Sequence, residues 1–134
     1  MKKYIIILIC FYSINFFSQE LKITGLNNFY NKNQEIKYSL FNNSNKKIIY
    51  FVGIEKFKKE WREIISDIEN PISKTSSYLN LEPNKLIKKK INISNLTILK
   101  NSKTDNLYRI LIVYEFQNDT VMRSFHSKSF IIKK

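Results

Sequence analysis

Between Leu107 and Phe116 the chain sets Tyr108, Ile110, Ile112, Tyr114 and Phe116 in one phase of a period-two pattern and Leu107, Arg109, Leu111 and Val113 in the other. Successive side chains of a strand point to opposite faces, so each set lines one side. With apolar residues in both phases, this strand is expected at the centre of a sheet. Shorter runs repeat the pattern. Ile36, Tyr38 and Leu40 alternate with Lys37 and Ser39, and Ile87, Ile91 and Ile93 with Lys88, Lys90 and Asn92. Each reads as a strand with one wet and one buried face. The chain contains no alanine, and its apolar residues are mainly Ile, Phe, Tyr and Leu. The best helix former is missing, and residues that pack well on a pleated surface are abundant.

Turn chemistry separates these runs. Asn42-Asn43-Ser44-Asn45-Lys46 is turn-forming, because Asn tolerates left-handed backbone and its side chain bonds nearby amides. Leu81-Glu82-Pro83-Asn84-Lys85 is a second turn, with Pro presetting the backbone. Leu26 to Asn33 and Asn101 to Asn106 read as loops, as does Ser73 to Ser77. Glu20 to Thr24 is a short first strand, and Lys47 to Phe57 a long apolar one in which Gly53 marks a bulge or a close backbone approach. Trp61 to Ile68 fits a returning hairpin strand, while Ile54, Phe57, Trp61, Ile64, Ile65 and Ile68 also fit helical spacing. The frequent β-branched residues and the short connection favour the strand. From Val121 to Ile132 the apolar phase flips after Phe125, which predicts a bulge near His126 to Lys128.

The first residues, Met1-Lys2-Lys3 followed by Tyr4 to Tyr12 and then Ser13 to Ser18, have the layout of a secretory signal: positive, apolar, then more polar with a small final residue. The apolar stretch is shorter than the roughly 20 residues that span a bilayer. Residues 1–18 are therefore read as a signal peptide and 19–134 as one domain, periplasmic or secreted, monomeric and with no membrane span after signal removal. The single cysteine, Cys10, lies inside the signal. Neither a disulfide nor a thiolate nucleophile is then available to the mature chain, so its core must hold the fold alone.

The formal net charge is +12, and removal of Lys2 and Lys3 leaves 12 − 2 = +10. Such a charge invites a nucleic-acid reading. Only Arg62, Arg109 and Arg123 are arginines, however, and base readout and bidentate phosphate grips favour arginine. No specific nucleic acid is expected; the lysines are read as a solvated surface. The Lys88-Lys89-Lys90 run is read as an edge-strand guard against aggregation.

No catalytic constellation is expected. His126 is the only histidine, so neither a His-based metal cluster nor more than one candidate triad base exists. Asp67 and Glu69 read as a solvated turn. Two glycines, Gly25 and Gly53, make no phosphate-cradling loop. The chain is expected to need no cofactor and to be no enzyme. Trp61 reads either as a core tryptophan or as an exposed aromatic that forms a contact patch with Phe57 or Tyr50.

These features together describe an all-β, immunoglobulin-like sandwich of seven or eight antiparallel strands. Asp105-Asn106-Leu107-Tyr108 could form a tyrosine corner. With Asn42-Asn43-Ser44, Trp61-Arg62, Leu81-Glu82-Pro83, Tyr108-Arg109-Ile110 and Ser129-Phe130-Ile131-Ile132, the chain resembles small bacterial immunoglobulin-like domains, distantly including the intracellular proteinase inhibitor family. The reading is a non-enzymatic module that binds another protein or an envelope polymer. The alternative is an exported inhibitor of a protease or other secreted enzyme, inserting Pro71 to Ser77 into a cleft.

Overall fold

The computed structural model describes residues 19–68, 78–101 and 105–133. Its strands are β1 (Leu21–Thr24), β2 (Phe29–Asn31), β3 (Glu35–Asn42), β4 (Ile48–Phe57), β5 (Trp61–Ile65), β6 (Leu79–Leu81), β7 (Leu86–Asn92), β8 (Asn106–Phe116), β9 (Arg123–His126) and β10 (Phe130–Lys133). A 3₁₀ turn (Ile93–Asn95) and a one-turn helix α1 (Thr97–Lys100) join β7 to β8. The strands form a three-stranded sheet, β1-β3-β7, and a seven-stranded sheet built on the path β2-β10-β8-β4-β5. β6 also pairs with β4, and β9 with β8. The architecture is the immunoglobulin-like sandwich expected from the alternation.

The long strands β4 and β8 carry the larger sheet, antiparallel in register from Ile48↔Phe116 to Lys56↔Tyr108. β8 is central, as its two apolar phases required. Its inward residues Tyr108, Ile110, Ile112, Tyr114 and Phe116 are all buried. They meet Ile36, Tyr38 and Leu40 of β3 and Ile48, Tyr50, Val52 and Ile54 of β4 in one core. Burying each of the larger apolar side chains contributes about 1.5–3 kcal/mol against its exposed state, which stabilises a chain without disulfides. A polar link joins the sheets as well. The Tyr114 hydroxyl donates to Glu20 at 3.0 Å, and burial, reinforced by that bond, pushes the phenol up to about 12.

Asn42 does more than terminate β3. It is fully buried, and its Nδ2 donates to the carbonyls of Lys46 (2.8 Å), Leu81 (3.1 Å) and Glu82 (3.1 Å). Its Oδ1 accepts from the Ser44 amide and hydroxyl. One side chain thereby holds the β3–β4 turn and the turn after β6.

The structure departs from the sequence expectations in definite places. Ten strands are present among the described residues, against seven or eight expected. The loop assigned to Leu26–Asn33 contains β2, which pairs parallel with β10, so the sandwich is not wholly antiparallel. β6 takes in Leu81, expected as part of a turn, with Leu79 and Asn80 before it. The final strand is divided: Val121 and Met122 are exposed and outside it, and Ser127 to Ser129 interrupt it. At the break Ser127 takes over the ladder, its Oγ accepting from the Ile110 amide at 2.9 Å and its own amide donating to the Ile110 carbonyl at 2.9 Å. The bulge was expected there; the side-chain substitution was not. Trp61–Ile65 is strand, not helix, and pairs with β4 through a register shift beside Ile54 and Glu55. A Cβ on Gly53 would come within 2.6 Å of the Ile65 carbonyl oxygen, which is the close approach anticipated. Asp67 is buried, not solvated. Tyr108 is buried with its ring stacked on Phe130 at 6.3 Å. Glu69, the expected loop Pro71 to Ser77 and residues 1–18, expected as a signal, lie outside the described residues.

Candidate binding surface

The outward side of the larger sheet is set by the β4–β8 register. Glu55 faces Arg109, Gly53 faces Leu111, Phe51 faces Val113 and Ile49 faces Glu115. An exposed sheet face normally alternates toward polar residues. Here Ile49, Phe51, Leu111 and Val113 form an apolar strip instead. Leu111 is only 7% exposed yet stands outside the main core cluster, because its neighbours on this face shield it. Exposed Tyr78 extends the strip, its ring edge-on to Phe51 at 5.9 Å. At the far end β10 adds Ile131, which lies beside Leu107 and Phe29. Phe29 is exposed, with the Lys133 ammonium 4.7 Å above its ring.

Beside the strip stands a polar-aromatic cluster. Phe57 and Trp61 are cross-strand partners, so both project outward, with ring centroids 5.4 Å apart. The Arg109 guanidinium lies 4.3 Å above the Trp61 ring. Its Nε donates to the Glu55 carboxylate directly across the strand pair, and His126 Nε2 stands 3.5 Å from the same carboxylate. Cation–π contact and a charge-assisted hydrogen bond each restrain the guanidinium. Arg109 and Trp61 therefore sit in fixed positions, and a partner that meets them finds little side-chain entropy left to lose.

Of the three aromatic residues singled out in the sequence, Trp61 and Phe57 come together on this face. Tyr50 does not. It lies in the inward phase of β4 opposite Tyr114 and is 1% exposed, so it packs the core. His126 was weighed only as a lone candidate base or metal ligand, and Arg109, Glu55 and the apolar strip were not picked out as a contact surface. Their signal was the second apolar phase of β8, used to place that strand centrally but not to ask what its outer side meets. Among the described residues no group of three or more His, Cys, Asp or Glu side chains is placed to hold a metal ion. No helix among them is long and apolar enough to cross a membrane.

No protein-family model matches this chain, and a search of curated proteins finds no match. The resemblance to the proteinase inhibitor family thus gains no support. Solved structures of fimbrial chaperone complexes are similar in fold. One is a Salmonella enterica SafA pilin in complex with the SafB chaperone, 12% identical with a TM-score of 0.54, covering 84% of this chain and 53% of that one. Another is a chaperone–tip adhesin complex of CFA/I fimbriae, 11% identical with a TM-score of 0.57, covering 84% of this chain and 55% of that one. The chain spans about half the length of these structures. At such identities the likeness is one of fold.

Proposed function

We propose that this chain is an exported, non-enzymatic module that binds another polypeptide through the outer face of its seven-stranded sheet. The observation that carries the reading is the apolar strip of Ile49, Phe51, Leu111 and Val113, bordered by the Trp61–Arg109–Glu55 cluster. Contiguous apolar surface rimmed by polar groups marks interaction sites, and tryptophan and arginine are the side chains most enriched where binding energy concentrates. The solved structures of similar fold are described as complexes of chaperones with a pilin and with a tip adhesin, which makes a polypeptide ligand the natural class to test. Export rests on the signal-like residues 1–18 and places the module in the periplasm or outside the cell.

The test is affinity capture from the envelope and culture medium of the source cells, repeated with a Phe57→Ser/Tyr78→Ser variant. Phe57 and Tyr78 are both exposed, so folding is preserved. One partner is expected to stay bound at high salt and to lose at least about 2 kcal/mol of affinity, some thirty-fold, in the variant. Capture that vanishes at high salt, or that the variant leaves unchanged, refutes the assignment to this face.

A further inference from the structure

The other outer face of the sandwich has the opposite character, and the register of the three-stranded sheet lays it out row by row. Lys22, Phe41 and Leu86 stand side by side across β1, β3 and β7; Thr24, Ser39 and Lys88 form the next row; Lys37 and Lys90 the third; Glu35 and Asn92 the last. Four lysines thus share one flat face with a single carboxylate. That carboxylate, Glu35, bonds Lys90 at 2.9 Å and lies 3.9 Å from Lys37, and the Lys90 bond holds it below its ordinary range. Between the lysine stems, over the small Ser39 and beside Gly25, lies a shallow cavity of about 280 Å³ lined by Lys37, Lys88 and Lys90. Leu86 projects from the same face and is 53% exposed. The larger sheet carries Glu55, Glu63 and Glu115 beside Arg109 and Lys133 on its outward side, so of the two outer faces the smaller sheet's is the more positive.

We propose that the outer face of the three-stranded sheet docks on an anionic lipid surface, with lipid phosphates against Lys22, Lys37, Lys88 and Lys90 and Leu86 entering the headgroup boundary. The chemistry favours lipid over nucleic acid. All three arginines belong to strands of the other sheet, so this face offers only lysine, a compact hydrated point charge without bidentate geometry. Several lysines around an exposed apolar residue match an interface whose outer layer is anionic and whose next layer is acyl chain. Three strands spaced by about 4.8 Å make a face about 10 Å wide, flat enough to meet several headgroups together. Docking in this sense turns the Trp61 face away from the lipid, toward the volume where a polypeptide partner would approach.

The experiment is flotation of the full chain with vesicles of phosphatidylcholine alone and with added phosphatidylglycerol. It compares wild type with Lys22→Glu/Lys88→Glu and with Lys58→Glu/Lys59→Glu. The two variants change net charge equally, but Lys58 and Lys59 sit at the β4–β5 hairpin, away from this face. Neither Lys22 nor Lys88 belongs to the Glu35 ion pairs, so the sheet is spared, and circular dichroism checks that it is. Each lysine near an anionic leaflet contributes roughly a fivefold gain in partition, so the Lys22/Lys88 variant should bind at least about twenty-five-fold less. The hairpin variant should stay within about threefold of wild type, and added phosphatidylglycerol should raise wild-type binding above the level that residues 1–18 give with neutral vesicles. Leu86→Ser should weaken binding at unchanged charge. Equal losses in the two charge variants, no gain on adding phosphatidylglycerol, or displacement from vesicles by duplex DNA each overturn the proposal. Residues 1–18 are common to every sample and cannot produce a difference between variants. Because Lys22, Lys88 and Leu86 lie on the sheet opposite the Trp61 face, partner capture with their variants remains a separate measurement.

Discussion

Replacing Asn42 with aspartate changes one nitrogen to oxygen and keeps side-chain volume, so it tests the buried hydrogen-bond staple without opening a cavity. In the native chain Nδ2 donates to three carbonyls, and the Leu81 contact is buried while those to Lys46 and Glu82 are part-buried. Leaving a buried acceptor unsatisfied costs about 1–3 kcal/mol, and a part-buried one about 1 kcal/mol once water compensates. The sum is about 3–5 kcal/mol, a large share of the stability of one domain. At about 4 °C per kcal/mol for a chain of this size, the unfolding midpoint should fall by some 12–20 °C. The pH dependence separates this account from simple misfit. A carboxyl buried against three carbonyl oxygens is neutral more readily than one in water, so its folded pKa lies above the ordinary value near 3.9. With the folded value raised, the variant is least harmed below about pH 4, where the protonated carboxyl can still donate one bond. The deficit then grows as pH rises through the folded pKa. Urea unfolding of both proteins at about pH 4 and pH 7 reads the difference directly. A deficit under about 1 kcal/mol at neutral pH, or one equal at both pH values, would refute the staple.

Two further substitutions probe the parts of the sandwich that hold its outer face in place. Gly53→Ala puts a Cβ within 2.6 Å of the Ile65 carbonyl and 3.0 Å of the Ser66 carbonyl, both backbone atoms, so β5 must shift away from β4. A cost of about 1–3 kcal/mol is expected by chemical denaturation, and no measurable cost would show that the bulge yields freely. Tyr114→Phe removes the hydroxyl that reaches Glu20. Burial raises the folded phenol from 10.0 to about 12, so its stabilising contribution is complete below pH 10 and is lost as pH rises toward 12. Wild type should therefore be the more stable of the two at about pH 8, and its advantage should shrink between pH 10 and 12. An advantage that stays constant over that interval would place the titration elsewhere.

The architecture was legible because long strands carry their own period. β8 offers eleven residues and β3 eight, enough for parity to show which side faces the core. β2 and β6 have three residues each, too few for a period, and β2 finds its partner about a hundred positions away in β10. Helix α1 is a single turn of four residues, below the length at which helical spacing can declare itself. Asn42 was read as a turn former, which it is. Composition cannot report that the same amide also reaches Leu81 and Glu82, thirty-nine and forty residues on.

The proposed binding face was less legible, and the reason lies in β4. From Ile48 to Val52 every residue is apolar, so the sequence holds no polar position from which to read inward and outward phase. Tyr50 and Phe51 are therefore equivalent on the page and opposite in the fold. The register with β8 separates them, turning Tyr50 to the core and Phe51 to the surface beside Val113. Trp61 escapes this ambiguity only through the hairpin, which ties its phase to Phe57 and, past Lys56, to Glu55. A run that is apolar in both phases buries each side of its strand in a parallel sheet covered by helices. In a two-layer sandwich the second layer covers only one side, so the other must meet something else. The surplus apolar phase shared by β4 and β8 is the sequence feature on which the proposed binding face rests, legible once the fold class is settled and not before.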